Sequence, residues 1–493
     1  MRKSGVLMPV FSLPSSYGIG TFSKEAFEFV DMLEEAGQKV WQILPLGPTG
    51  FGASPYQSYS TFAGNPYFID LEPLIEEGWL TRKECELDWG SSKEKIDYEK
   101  IGRYRLPLLR QAFERSNIEA SADFQRFCEE NKEWLDDYAL YMAVKDFFSG
   151  AAWTEWEEEI RLRKPEAMET YKRNLHQNVR FYQFQQYLFM EQWMALKEYA
   201  NKKGIRIFGD IPIYVAFDSA DTWGNPELFQ LDEENVPLAV AGCPPDAFSE
   251  TGQLWNNPLY AWEYHKKTGY AWWIQRIAYC FKLYDIVRID HFRAFEAYYS
   301  IPYGDLTAQN GHWEPGPGMD LFRAVHDELG ELEIVAEDLG FLTEGVYQLL
   351  RDTGYPGMKV LHFAFNAEEK SNYLTHEYER NCVVYTGTHD NNTTQGWYRS
   401  MDPVSKSVAL RYLNNFYTPG SQIHWDYIAL AMRSVADLCV IPAMDYLGLG
   451  EEARINTPST VGSNWQWRMR KNAFTPELVE KMRKMTALYG RNQ

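Results

Sequence analysis

Eight short, almost uninterrupted apolar runs punctuate the chain, at residues 5–10, 40–46, 205–208, 285–289, 333–336, 358–363, Cys382–Tyr385 and Leu438–Pro442. Polar residues do not alternate within them, which is the pattern of parallel strands covered on both faces. Segments of helical period separate several of these runs, at 22–36, 320–329, 343–351, 405–416 and 425–436. Strand, helix and strand recurring about eight times predicts an α/β protein, a (β/α)8 TIM barrel. No sequence repeat of about 20–50 residues accompanies the alternation.

Two stretches break this rhythm. Residues 71–203 are highly charged and helical in pattern, and Tyr182, Phe189, Trp193, Leu196 and Ala200 fall on one helix face. They predict a largely helical insertion, ended by Gly204, that divides a catalytic barrel of residues 1–70 and 204–493. The second stretch, 212–270, is dense in Pro, Gly, Asn and Trp and reads as a long functional loop at the rim.

Charge narrows the partners. Against 69 Asp and Glu the 493 residues hold 49 Lys and Arg, a net charge of −20, which argues against nucleic acid and against an anionic membrane surface. No apolar run approaches the roughly 20 residues that span a bilayer. The prolines at 9 and 14 interrupt the first apolar segment, which reads as a strand and loop rather than a secretory signal. Six scattered cysteines show no paired spacing, so a reduced, cytoplasmic protein is expected. Aromatic residues reach 16%, and many lie in Gly- and Pro-rich segments where packing alone does not explain them.

Four predicted strands end in a carboxylate: Asp210 in RIFGDIPIY, Asp290 in DIVRIDHFR, Glu337 in EIVAEDLG and Asp390 in VVYTGTHDNN. In a barrel all four stand at the C-terminal rim, where such folds place their chemistry. Carboxylates crowded at one mouth are pushed apart in pKa, so that one serves as an acid while another stays ionised. Paired carboxylates among aromatic side chains suit glycoside chemistry. An Asp between Arg288 and Arg293 is more often a structural ion pair than a nucleophile, and spacing does not separate Glu337 from Asp338.

The stretches FGASPYQSYSTFAGNPYFIDL, GDIPIYVAFDSADTW, CPPDAFSETGQLWNNPLY, VRIDHFRAF, VAEDLG, TGTHDNNT and NTPSTVGSNWQWR occur in order along nearly the whole chain. Together they resemble the 4-α-glucanotransferase (amylomaltase) family of the α-amylase clan. The resemblance implies a retaining enzyme that cleaves an α-1,4-glucan and passes the segment to the 4-hydroxyl of another glucan. By position it implies Asp290 as nucleophile, Glu337 rather than Asp338 as general acid/base, and Asp390 as the third carboxylate. Arg288, His291 and His389 fall where the family holds the donor sugar and the nucleophile. Tyr56, Asp210, Phe248 and Trp255 are further candidate contacts to substrate, with Phe248 and Trp255 on a covering loop that excludes water. Ala247 and Met444 depart from the family pattern at positions that bear on the acceptor. A hydrolase of the same clan and a catalytically silent sugar-binding protein are the alternatives.

Other motifs carry less. Gly448-Leu-Gly450-Glu-Glu-Ala453 matches a dinucleotide fingerprint but follows the last strand, with no unit beyond it. GPTGFGAS lacks the Gly-Lys-Ser/Thr ending of a phosphate loop, and His376-Glu377 has no second His at zinc spacing. No cofactor and no metal are expected.

Overall fold

The computed structural model describes residues 2–245, 249–340, 342–365 and 371–492. Eight parallel strands surround one axis: β1 (Lys3–Leu7), β2 (Val40–Gln42), β3 (Arg206–Pro212), β4 (Ile286–Asp290), β5 (Ile334–Ala336), β6 (Gly357–Val360), β7 (Cys382–Tyr385) and β8 (Leu438–Pro442). Each pairs with its neighbours in chain order, from β6 through β8 and β1 to β5. The remaining seam is bridged where Ala336 N–H donates to Pro356 O at 2.9 Å. This is the expected barrel, and all eight predicted runs lie in it.

Side chains alternate along a strand, so every second residue points inward. Leu7, Val40, Phe208, Ile286, Val335, Met358, Val383, Tyr385 and Val440 meet there as a packed interior cluster. The outward residues pack beneath a ring of helices that includes Lys24–Glu35, Ala271–Leu283, Met319–Leu329, Glu344–Thr353, His424–Arg433 and Pro476–Leu488. β3 runs beyond its predicted end at 208 because its polar Asp210 faces the interior, where Arg288 neutralises it. β6 is shorter than predicted, since residues Leu361–Phe363 turn into a 3-10 helix.

Between β2 and β3 the chain is helical, as predicted. Its last helix, His176–Lys202, buries Tyr182, Phe189, Trp193, Leu196 and Ala200 and packs on β3 and on Lys24–Glu35. Gly204, at φ +71°, follows and turns the chain into β3. A part-buried ion pair ties the helix Lys132–Phe147 to the rim: Lys145 Nζ lies 2.6 Å from Asp218 Oδ2 and 5.1 Å from the Tyr59 ring centre.

The reading of 212–270 as one long loop needs correction. Strands Ala239–Cys243 and Gln253–Pro258 join Ala297–Pro302 and His312–Pro315 in a four-stranded antiparallel sheet beside the barrel mouth. Half of that sheet is supplied by the chain beyond β4, so neither stretch carries the complete pattern by itself.

Candidate active site

The inward face of β4 carries Ile286, Arg288 and Asp290 at intervals of two. Register places Asp210 of β3 opposite Arg288 and Ala336 of β5 opposite Ile289. One step further along, Asp290 and Glu337 therefore stand abreast at the C-terminal end of adjacent strands.

Arg288 is the centre of the arrangement. Its Nη1 donates to both oxygens of Asp210 at 2.8 and 2.7 Å, and its Nη2 donates to Asp290 Oδ1 at 2.7 Å. Burial disfavours its charge, but Asp210 and Asp290 outweigh that and hold the guanidinium ionised. Asp210 is fully buried, and Tyr56 also donates to its Oδ2, at 2.7 Å. Both Asp210 oxygens are thus engaged below the surface, where the side chain supports Arg288 and Tyr56. Arg288, only 3% exposed, likewise faces Asp290 rather than the cleft.

Glu337 sits just past β5. Its Oε2 accepts His291 N–H and its Oε1 accepts Leu339 N–H, each at 2.8 Å. His291 reaches that bond by adopting a left-handed φ of 53°, a conformation uncommon for a non-glycine residue. Burial pushes the Glu337 carboxyl up to about 7, opposed by Arg288, reinforced by Asp290 and opposed again by the two N–H donors. Asp338, the alternative that spacing left open, turns away from the mouth and accepts Met358 N–H at 2.6 Å. Arg293 is also directed elsewhere, with its guanidinium 3.9 Å from the centre of the Trp313 ring.

Asp390 lies in the loop after β7. Asn456 Nδ2 donates to its Oδ1 at 2.6 Å, and Arg454 Nη2 donates to its carbonyl at 2.9 Å. His389 stacks on Tyr56 with ring centres 5.3 Å apart, and its Nε2 is 2.9 Å from the Tyr56 hydroxyl. Since the Tyr56 proton goes to Asp210, its oxygen accepts from His389, which fixes the imidazole proton on Nε2. His291 meets the edge of Trp255 at 4.9 Å. Burial pulls its pKa down to about 4, so it is a neutral imidazole with a buried, unpartnered Nε2.

These groups surround a cleft of about 340 Å³, lined by Tyr56, Trp255, Asp290, His291, His389, Asp390 and Trp465, among others. Of the predicted site residues, Tyr56, Trp255, Asp290, His291, His389 and Asp390 line this cleft, while Glu337, Arg288 and Asp210 bond to His291, Asp290 and Tyr56 without lining it; Phe248, with Ala247, lies outside the described residues. Met444 is buried at 4% exposure, under the helical turn after β8. Sequence reasoning assigned no role to Asn456 or Trp465. The signal was present in the Asn- and Trp-rich stretch NTPSTVGSNWQWR, but that stretch has no strand-end position to mark it.

A family model described as 4-alpha-glucanotransferase matches residues 8–474. The chain belongs to the 4-alpha-glucanotransferase family. A 4-alpha-glucanotransferase of Clostridium butyricum is 51% identical over 487 residues, covering 98% of this chain and 100% of that one. The Thermus thermophilus 4-alpha-glucanotransferase is 45% identical, with 98% of both chains covered. Among solved structures, an amylomaltase from Streptococcus agalactiae in complex with acarbose superposes with a TM-score of 0.96 at 41% identity, covering 100% of both chains. The 4-alpha-glucanotransferase reaction type, transfer of α-1,4-glucan segments, is thereby set for this chain. How its side chains perform that transfer follows from their geometry.

Proposed function

We propose that Asp290 attacks the anomeric carbon of an α-1,4-linked glucan while Glu337 protonates the departing oxygen, leaving a β-glycosyl ester on Asp290. The 4-hydroxyl of a second glucan then enters, gives its proton to Glu337 and displaces Asp290, restoring the α linkage. Neighbouring strands lie about 4.8 Å apart, close to the carboxyl separation of about 5–5.5 Å on which double displacement depends. The placement of Glu337 abreast of Asp290, with a carboxyl titrating at about 7, is the observation that carries this reading. Such an acid is available in both protonation states at neutral pH, as a group that first gives and then takes a proton must be.

The other side chains follow from their positions. Arg288 keeps positive charge beside the nucleophile in a low-dielectric interior, where it is least screened. Asp390, His389 and the neutral His291 meet the donor sugar, whose hydroxyls bond more strongly as positive charge develops on the ring. Trp255, Tyr56 and Trp465 offer aromatic faces along the cleft, which favours a bound acceptor sugar over water.

The partners proposed are maltooligosaccharides and starch- or glycogen-type chains, with neither nucleic acid nor membrane. No helix among the described residues is long and apolar enough to cross a membrane. No disulfide joins the cysteines among the described residues, which supports a reducing, cytoplasmic setting. Incubation with maltotriose tests the reading. Transfer yields glucose and a ladder of longer oligosaccharides with little gain in reducing ends, and Asp290→Asn loses it by about three orders of magnitude or more. Reducing ends that accumulate in step with maltotriose loss, or a competent Asp290→Asn enzyme, would overturn it.

A further inference from the structure

Asp445 lies in the single helical turn Ala443–Tyr446 that follows β8, away from the cleft. Its carboxylate is 1% exposed, and among the described residues no cation pairs with it. Burial pushes the carboxyl up, and three hydrogen bonds oppose that push. Its Oδ2 accepts the hydroxyls of Thr386 and Thr394 at 2.6 and 2.7 Å, and its Oδ1 accepts Thr394 N–H at 2.7 Å.

The donors are placed at the two ends of one loop. Thr386 is the first residue beyond β7, and Thr394 opens the helix Thr394–Ser400. Between them lie His389 and Asp390. A single carboxylate from the turn after β8 thus ties together the start and the finish of the loop that carries the third carboxylate of the site. His362 completes the tie: its Nε2 lies 3.0 Å from Thr394 Oγ, and its ring stacks on Trp397 at 4.4 Å. Because the Thr394 proton goes to Asp445, His362 must donate, and burial, which pulls its pKa down to about 3, keeps it neutral.

We propose that Asp445 is a positioning residue for transfer: by clamping both ends of the 386–394 loop it sets Asp390 and His389 against the donor sugar. This rests on the reading of Asp390 as a group that stabilises the transition state. The carboxylate accepts three donors, and its charge strengthens each bond. In Asp445→Asn the N–H2 group must donate to the two threonine hydroxyls instead, which trades charge-assisted bonds for neutral ones and turns Thr394 Oγ1 into an acceptor beside His362 Nε2, so the clamp weakens.

The test measures kcat and KM for maltotriose disproportionation in Asp445→Asn, Asp390→Ala and the double variant, each with its melting temperature. If Asp445 acts through Asp390, Asp445→Asn lowers kcat by about 10–100-fold with KM changed less than about 3-fold. In the Asp390→Ala background the same change then costs less than about 2-fold. Equal losses in both backgrounds, or an unchanged kcat in Asp445→Asn, overturn the positioning role. An undiminished kcat in Asp390→Ala instead overturns the reading of Asp390 itself. Should Asp445→Asn not fold, Thr386→Ser and Thr386→Val decide. Serine keeps the hydroxyl donor and should hold kcat near the parent value, whereas valine should lower it by about 5-fold or more. Equal kcat in the two Thr386 variants would contradict the clamp.

Discussion

Glu337 shows how one carboxyl is balanced between two protonation states. Two backbone N–H groups and Arg288 favour its charged form, while burial and Asp290 favour the neutral one, and the balance settles at about 7. The sign of the pH dependence follows. A raised carboxyl pKa keeps the proton on as pH rises, so the acid is lost only as pH passes upward through about 7. The initial rate of kcat/KM against pH should therefore show an alkaline limb with a midpoint near 7. In Glu337→Gln that limb should vanish along with most of the activity toward maltotriose, and an α-maltosyl fluoride donor, whose leaving group needs no proton, should restore the first half-reaction. An alkaline limb that survives in Glu337→Gln would assign it to another group. Asp210, fully buried, holds Arg288 and Tyr56 from below.

Strands and helices set these side chains to within a hydrogen bond. β1 lies so near β2 that a Cβ at Gly5 would stand 2.5 Å from Val40 O and 2.7 Å from Val40 Cβ. Backbone cannot yield there without opening the sheet, so Gly5→Ala should lower the urea midpoint by an amount equal to about 1–3 kcal/mol. A midpoint at the parent value would show that the barrel tolerates wider strand spacing at this pair. The barrel itself was legible because strands buried on both faces leave unbroken apolar runs, and the strand-end carboxylates were legible because those runs stop at them. Asp290 and Glu337 could be read as strand ends, but their side-by-side placement comes from the register of β4 with β5, which no local pattern encodes. The antiparallel sheet beside the mouth escaped notice because its strands come from both sides of β4. Asn456, Arg454 and Asp445 escaped for a related reason: each acts on the loop after β7 from a segment more than fifty positions along the chain.

The molecule as a whole carries a net charge of −20, yet its site is built around one buried guanidinium. That division suits an uncharged polysaccharide, which gains nothing from long-range steering and depends on hydrogen bonds and aromatic faces inside the cleft. Helices between β2 and β3 are locked to the rim through Lys145 and Asp218, so the aromatic segment around Tyr59 rests on a packed layer rather than on solvent. What all of this supports is a sugar held covalently on one carboxylate until a second sugar arrives. The direct measurement is the mass of the protein and its peptides after Glu337→Gln is mixed with an α-maltooligosyl fluoride and quenched. Fluoride departs unaided, and without a base the ester persists, so the glycosyl mass should appear on the peptide containing Asp290 and be absent when Asp290→Asn is added. Transfer that proceeds with no adduct, or an adduct on any other residue, would contradict the account.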